Sequence, residues 1–234
     1  MRIGLVGASG FVGSSIFSRL AQLANVDCRP ILRGDDFESK IKEVDFVIYS
    51  ANSAKRFFAN SNPEIDRKET LEKTIKFLNA SKNKPFLLVS SLSCRTQLHT
   101  PYGINRRDCE KVVLEYGGSV VRLGPMFGIS RLHDVIHDIC ANRKVFVSKD
   151  SKQSFSSVDW NGKYIADNFV SLSGIVEIGA RNSIRLGDLA AHVNSSSEFI
   201  GEIDDQFPLN FETGPDVLEV LEFVDQIMGQ QREI

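Results

Sequence analysis

Short apolar runs alternate with segments of helical periodicity through the first half of the chain. The runs predict strands near residues 2–6, 27–32, 45–49, 85–90 and 119–123, and the segments between them predict helices near 11–23, 64–80 and 103–116. Runs such as 46–48 and 86–89 show no polar alternation, which is typical of strands buried on both faces. Strands that alternate with helices predict an α/β fold with a parallel sheet covered on both faces.

The second half of the chain is less regular. Helices are predicted near 131–141 and 160–172, followed by a strand at 174–178 and a last helix near the end. Asp216 can cap that helix. Its apolar stripe comprises Val217, Val220, Leu221, Val224, Ile227 and Met228. We expect this region to add a small lobe to the main sheet.

The composition is that of an ordinary globular protein. Apolar residues make up 42% of the 234 residues and charged residues 25%, and the net charge of −2 gives no nucleic-acid footprint. No apolar run approaches the ~20 residues of a membrane span, and the start of the chain lacks the pattern of a signal peptide. The four cysteines are scattered, which favours reduced thiols and a cytoplasmic protein.

A glycine-spaced turn follows the first predicted strand. Residues 7–13 have the pattern G-x-x-G-x-x-G and lead into an apolar-periodic helix. Glycines at this spacing let the backbone approach a pyrophosphate, with the positive helix N-terminus facing it. The turn therefore predicts a dinucleotide site; the alternative is a glycine-rich turn that only packs tightly. The candidate cofactor-binding residues are Gly7, Ser9, Gly10, Phe11, Val12 and Gly13.

Four later segments, taken with the turn, carry a resemblance to a known family. They are 44–51, which ends in Ala51; 87–91, which ends in Ser91; 102–106, with Glu110 beyond it; and 120–128. In this order they resemble two strands, an active-site helix and a further strand of the extended short-chain dehydrogenase/reductase superfamily (the NAD-dependent epimerase/dehydratase family). The resemblance covers residues 1–130 well and the remainder loosely.

The resemblance implies a Rossmann-type doubly wound sheet and a division of the chain. We expect a dinucleotide-binding domain over 1–150 and a small C-terminal substrate lobe over 151–234, intertwined with the first. Ala51 is expected to line the cofactor. Residues 33–44 have room for one short helix only, where the usual family member has a further helix and strand. One edge strand of the sheet is therefore expected to be missing.

The resemblance also implies a catalytic set. Tyr102 would exchange a proton with a substrate hydroxyl or ketone while a hydride moves between substrate carbon and nicotinamide, and Ser91 would hydrogen-bond the same oxygen. A phenol is a poor base at neutral pH, so a fixed cation is needed nearby. Arg106 replaces the family's lysine; it keeps the charge and can bond a ribose hydroxyl, but it cannot release a proton. The alternatives are local hydrogen bonding for Ser91 and a solvent-facing side chain for Arg106.

Arg33 bears on the choice of cofactor. The end of the second strand in an NAD-binding domain usually carries Asp or Glu for the ribose hydroxyls, and that place falls on Arg33. A cation there can hold a 2′-phosphate, so NADP is the expected cofactor and NAD the second choice. If the strand corresponds instead to the family's third strand, Asp36 could contact adenine, and NAD is favoured.

Two functions stay open. The first is an NAD(P)-dependent oxidoreductase or epimerase that acts by hydride transfer on a nucleotide-linked sugar or a similar keto or hydroxy substrate, in a chain that can form a homodimer. The second is a catalytically weak or inactive nucleotide-binding regulatory or interaction protein of the same family, which Arg106 favours. His133 and His137 have the spacing of zinc ligands, but the acid between them is Asp and no third ligand is suggested, so no metal is expected.

Overall fold

The computed structural model describes residues 1–82, 84–131, 133–209 and 212–232, and Leu132, inside one predicted helix, lies outside the described residues. The strands are β1 Arg2–Val6, β2 Asp27–Ile31, β3 Phe46–Tyr49, β4 Phe86–Ser91, β5 Ser119–Leu123, β6 Met126–Phe127, β7 Lys152–Gln153, β8 Ser156–Ser157, β9 Ile175–Ile178 and β10 Ile184–Arg185. The helices are α1 Phe11–Leu20, α2 Phe37–Lys42, α3 Arg56–Ser61, α4 Pro63–Arg67, α5 Lys73–Ser81, α6 Ser93–Thr96, α7 Pro101–Glu115, α8 Val135–Cys140, α9 Val158–Asn168, α10 Leu186–His192 and α11 Glu219–Arg232.

Six strands form one parallel sheet in the order β2-β1-β3-β4-β5-β9. Val6 of β1 lies between Ile31 of β2 and Tyr49 of β3, and every residue of β3 is buried. The expected Rossmann-type doubly wound fold is therefore confirmed. β2 lies directly beside β1 at the edge, and only α2 separates β2 from β3 along the chain. The missing edge strand is thus confirmed as well.

The predicted helix at 64–80 is interrupted. Pro63 occupies the first turn of α4, where its missing N–H leaves no bond unmade. A wider π-helical turn, Lys68–Glu72, then joins α4 to α5. Such turns are rare and are frequently found at functional sites, and this one follows a buried acid, Asp66.

The chain divides into two compact units. The first comprises Met1–Leu123 and Asp159–Val176, and the second comprises Gly124–Val158 and Glu177–Ile234. The chain passes between the units three times, and residue 150, where the sequence predicted a boundary, lies inside the second unit. The first unit contains the glycine turn and the predicted catalytic residues.

The second unit has its own apolar core. Two short strand pairs, β6 with β8 and β7 with β10, accompany helices α8, α10 and α11. The stripe predicted for the last helix packs in this core: Val220 and Val224 are fully buried, and Leu221, Ile227 and Met228 are partly buried against it. The Phe223 ring lies 5.0 Å from the Phe127 ring between centroids, in a tilted arrangement. None of the helices that the structure describes is long and apolar enough to cross a membrane.

Candidate functional site

The turn after β1 is shaped by close backbone approach at two of its glycines. Gly7 has a φ of +86°, and a Cβ there would lie 2.4 Å from the carbonyl oxygen of Ser50. A Cβ on Gly13 would lie 2.0 Å from the carbonyl oxygen of Gly7. Side chains do not fit at either position. Gly7 lets the turn approach the segment after β3, and Gly13 lets the start of α1 approach the turn.

Gly10 differs from these two glycines. It is exposed, it directly precedes α1, and the nearest atom that its Cβ would meet is the Gly7 carbonyl oxygen at 3.2 Å. This contact is tight, but a shift of a few tenths of an ångström relieves it, so packing excludes a side chain here less strictly than at Gly7 or Gly13. The exposed glycine leaves an open face beside the helix N-terminus. A phosphate fits such a cradle, because the first N–H groups of α1 have no intrahelical partner. The residues present therefore fit a dinucleotide.

The remaining turn residues surround this cradle. Ser9 is exposed, and Phe11 and Val12 are partly buried in the first turn of α1. Ala51 packs against the core of the first unit, and its Cα would lie 3.0 Å from a Cβ on Gly7. Ala51 therefore borders the same turn.

Asn52, the residue after Ala51, has no distinctive signal in the sequence, because an asparagine after a strand is common. Both of its polar atoms are shielded from solvent, and neither has a hydrogen-bond partner among the residues that the structure describes. The residue as a whole is only partly buried. A shielded amide without partners is uncommon in proteins and calls for an explanation.

The turn after β2 holds the predicted determinant of cofactor choice. Arg33 is exposed there. The Asp35 carboxylate accepts from Lys40 Nζ and from the Leu32 N–H, each at 2.6 Å, and the Lys40 bond lowers the pKa of Asp35. Asp36 caps α2 by accepting from Ser39, which lowers its pKa. Both carboxylates therefore accept hydrogen bonds from residues of the same turn and of α2.

Tyr102 is fixed at the start of α7 by local sequence. Thr100 caps the helix by accepting from the Gly103 N–H at 3.1 Å, and Pro101 occupies the first turn. A Cβ on Gly103 would lie 2.2 Å from the Gln97 carbonyl oxygen, so glycine lets this end of α7 approach the preceding segment closely. Tyr102 itself is 6% exposed.

Two further residues connect Ser91 to Tyr102. The Ser91 hydroxyl donates to Ser93 Oγ at 3.2 Å, and the Arg56 guanidinium donates to the same Ser93 oxygen at 3.3 Å. Arg56 also lies 5.9 Å from the Tyr102 ring centroid. Ser91 and Tyr102 are therefore in one cluster, to which α3 contributes a cation that helix spacing did not predict.

Arg106 is buried beneath Tyr102 and paired with Asp66. Its guanidinium carbon lies 3.5 Å from the Tyr102 ring centroid, and both Arg106 and Asp66 are 2% exposed. Nη1 donates to Asp66 at 3.0 Å and to the Tyr102 carbonyl at 3.1 Å. Nη2 donates to Asp66 at 3.3 Å and to the Ser53 carbonyl. The two terminal nitrogens are thus engaged with protein oxygens.

Asp66 is held in place by a second donor. Asn105 Nδ2 donates to the same carboxylate at 2.8 Å, and Thr70 Oγ1 lies 3.4 Å from it. Asp66 lies 40 residues from Arg106, so no spacing rule along one helix could have indicated the pair. The pair was therefore not predicted from the sequence. The π-helical turn after Asp66 marks the position, but that turn is known from the structure and not from the sequence.

A second buried ion pair supports the end of β4. Glu110 on α7 accepts two bonds from Arg122 Nε, at 2.9 and 3.0 Å, and one from Arg122 Nη2 at 2.6 Å. Ser90, next to Ser91, donates to Glu110 at 2.6 Å. This network joins α7 to β4 and β5, so it fixes the strand end that carries Ser91 relative to the helix that carries Tyr102.

The two spaced histidines do not converge on a metal site in the structure. His137 Nδ1 lies 2.8 Å from Asp134, which also caps α8 by accepting from the His137 N–H at 2.9 Å. His133 precedes that helix and is exposed. Across the described ranges, no group of three or more His, Cys, Asp or Glu side chains is arranged to hold a metal ion.

No protein-family model and no curated protein matches the sequence, but solved structures do. UDP-glucuronic acid 4-epimerase from Bacillus cereus, in complex with UDP-glucuronic acid and NAD, aligns with a TM-score of 0.80 at 14% identity, covering 97% of this chain and 100% of that one. A dTDP-4-dehydrorhamnose reductase from Clostridium acetobutylicum aligns at 0.77 with 13% identity, over 97% and 99% of the two chains.

UDP-glucose 4-epimerase from Thermotoga maritima, with UDP-glucose, aligns at a TM-score of 0.72 with 13% identity, over 100% of this chain and 99% of that one. At such identities a structural likeness establishes the fold and leaves the activity open. The chain therefore shares its fold with these two epimerases and this reductase, which is the fold that the resemblance in its motifs implied.

Proposed function

We propose that this chain is an NAD(P)-dependent oxidoreductase or epimerase that acts by hydride transfer on a nucleotide-linked sugar or a similar keto or hydroxy substrate. The observation that carries the proposal is the turn at residues 7–13. Gly7 and Gly13 have no room for a side chain, whereas Gly10 leaves an open face at the N-terminus of α1. An arrangement of this kind suits a pyrophosphate.

The chemistry rests on Tyr102 and Ser91. A bound nicotinamide supplies or accepts the hydride. The Tyr102 hydroxyl exchanges a proton with the substrate oxygen, and the Ser91 hydroxyl hydrogen-bonds that oxygen and polarises it. The shared cluster with Ser93 and Arg56 supports this assignment, because it joins the end of β4 to the start of α7.

In this proposal Arg106 is a positioning residue that holds the Tyr102 ring in place. Its guanidinium carbon lies over the Tyr102 ring, 3.5 Å from the ring centroid, and its charge is balanced by the Asp66 carboxylate. A guanidinium on a ring face restricts the ring's tilt and is attracted by its negative face. The pair thus keeps the Tyr102 hydroxyl in one orientation, while the Arg56 guanidinium provides a second positive charge near the ring.

NADP is the cofactor that the turn after β2 favours. Arg33 is exposed there, while Asp35 and Asp36 are used in hydrogen bonds to Lys40 and Ser39. A cation beside engaged acids suits a 2′-phosphate better than a pair of ribose hydroxyls. The B. cereus epimerase, by comparison, was solved with NAD, so direct competition between the two cofactors decides the point.

Turnover of nucleotide 4-keto-sugars tests the function. NADPH and NADH fluorescence is followed with a panel of such substrates, for the parent chain and for Tyr102→Phe. We expect the parent to oxidise one reduced cofactor with at least one substrate. Tyr102→Phe should lose turnover by more than 100-fold, an order of magnitude taken from general acid–base catalysis, with cofactor affinity nearly unchanged.

A second candidate function is favoured by one observation, the pairing of Arg106 with Asp66. A cation whose charge is cancelled activates a phenol less than a free lysine does, as expected of a protein that binds nucleotide without turnover. Saturable cofactor binding with no oxidation across the whole panel would support this candidate. Equal turnover by the parent and Tyr102→Phe would remove Tyr102 from the mechanism.

A further inference from the structure

The carboxamide of Asn52 is the least explained polar group in the first unit. Its nitrogen and its oxygen are both shielded from water and both lack a partner among the described residues. Leaving a buried donor or acceptor unpaired destabilises a protein, because the group loses its bonds to water without replacement. The fold therefore keeps an unfavourable group at this position, and an apolar side chain of the same size would be more stable there.

The place of Asn52 in the sheet indicates what it could bind. In a parallel sheet the strands end at one edge, and dinucleotides bind outside those ends. The order β2-β1-β3-β4 puts Arg33 after the first of these strands, the glycine turn after the second, Asn52 after the third and Ser91 at the end of the fourth. Asn52 therefore lies between the pyrophosphate cradle and the candidate catalytic serine.

A dinucleotide that lies along this edge presents its groups in the same order. Its adenosine ribose falls near Arg33, its pyrophosphate at the turn, and its nicotinamide near Ser91. The group between the pyrophosphate and the nicotinamide is the second ribose, which carries two hydroxyls. A carboxamide offers two donors and an acceptor, so it can bond both hydroxyls of that ribose.

Arg106 is not available to bind the hydroxyls of the second ribose. Position 106 was expected to supply a ribose contact, but its two terminal nitrogens donate to Asp66, to the Tyr102 carbonyl and to the Ser53 carbonyl. The last of these bonds brings the guanidinium to the backbone of the residue next to Asn52. Arg106 and Asn52 are thus neighbours. The terminal nitrogens of Arg106 already donate to protein oxygens, whereas the Asn52 amide has no hydrogen-bond partner among the described residues.

We infer that Asn52 binds the hydroxyls of the nicotinamide-side ribose in place of Arg106; the inference rests on the proposed dinucleotide function. Asn52 as a whole is only partly buried. Rotation about its side-chain bonds can therefore bring the amide to the ligand without movement of β3. The binding of ligand then satisfies the two polar atoms that the free protein leaves unpaired.

Ligand titrations and thermal unfolding of Asn52→Leu and Asn52→Ala test the inference. NADH and ADP-ribose both contain the second ribose, whereas AMP lacks it. We expect both variants to bind NADH and ADP-ribose about tenfold more weakly than the parent, a factor typical of one lost hydrogen-bonded contact, and to bind AMP as tightly. Without ligand, Asn52→Leu should unfold at the same temperature as the parent or a higher one, since no bond is lost.

Asn168→Leu serves as the matched control. Asn168 Nδ2 donates to the Tyr164 carbonyl at 2.8 Å at the end of α9, so its replacement should lower the unfolding temperature and leave every affinity unchanged. Asn52→Leu behaving like this control would overturn the inference, as would equal weakening of AMP and ADP-ribose. If the parent binds none of the three ligands, the proposed function fails. If the parent binds and both Asn52 variants bind equally well, only the inference fails.

Discussion

Arg106 carries a charge that the fold buries almost completely. Its partner Asp66 is equally buried, and the pair makes two contacts, at 3.0 and 3.3 Å. Removal of one member of such a pair leaves an uncompensated buried charge, which destabilises by about 3–5 kcal/mol, whereas its replacement by apolar residues is often neutral. The effect of a substitution at Arg106 or Asp66 therefore depends mainly on whether the charge of the other residue is left buried without a partner.

Arg106→Leu should therefore destabilise strongly, and Asp66→Leu combined with Arg106→Met should recover most of the loss. We expect the single variant to lower the free energy of unfolding by about 3–5 kcal/mol in urea titrations. The double variant should fall within about 1 kcal/mol of the parent on the same argument. A single variant as stable as the parent would show that the pair contributes nothing to the fold.

Arg33→Asp tests cofactor choice at a single exposed side chain. A carboxylate repels a 2′-phosphate, so the variant should bind NADPH at least tenfold more weakly, a size typical of one charged contact, and NADH as well as before or better. Competition titrations measure both affinities. Arg29→Asp on β2, which makes the same change of charge at a residue paired with Asp27 and Glu43, is the control. Identical affinities for the two cofactors in the parent would count against NADP.

At the scale of elements, the glycines of the turn have two roles. Gly7 and Gly13 allow close packing of the backbone, whereas Gly10 borders the proposed phosphate site. Gly13→Ala would place a Cβ 2.0 Å from the Gly7 carbonyl oxygen, far inside van der Waals contact. We expect α1 to shift from β1 and the free energy of unfolding to fall by roughly 2–4 kcal/mol, in the range of severe overpacking. Chemical denaturation measures this loss. A variant of full stability would mean that the turn can relax freely.

The alternation of strands and helices could be read from the sequence because it depends on local patterns of apolar residues. β1 and β5 begin and end at the predicted residues, and α2 fills the short gap before β3. The π-helical turn after α4 and the pairing of Asp66 with Arg106 could not be read. They depend on contacts between segments 40 residues apart, which only the packing of α4 against α7 determines.

At the scale of the whole molecule, buried thiols make stability depend on pH. Burial raises the pKa of Cys94 and Cys109 to about 12 each, above the ordinary value of about 8.5. A thiol with a raised pKa in the folded state stabilises fully below the unfolded pKa, and that contribution declines as pH rises from about 9 towards 12. The folded protein should therefore weaken in alkali.

Urea titrations at pH 7.5 and pH 10 measure this effect. The parent should lose roughly 1–2 kcal/mol per buried thiol at pH 10, and Cys94→Ala combined with Cys109→Ala should show a smaller difference between the two pH values, whatever its stability at pH 7.5. An unchanged pH difference in the double variant would mean that other groups are responsible.

The binding of a dinucleotide at the turn after β1 is the claim on which the account of function depends. The most direct test is a fluorescence titration of NADH and NADPH with the parent and with Gly10→Val. Gly10 is exposed, and the nearest atom to a Cβ there is the Gly7 carbonyl oxygen at 3.2 Å. Because a shift of a few tenths of an ångström relieves this tight contact, the variant should still fold, with an unfolding temperature only a few degrees below that of the parent. We predict saturable binding to the parent and a loss of at least tenfold in the variant, since the side chain fills the space of the phosphate. A parent that binds neither cofactor, or a folded variant that binds as tightly as the parent, would contradict the account.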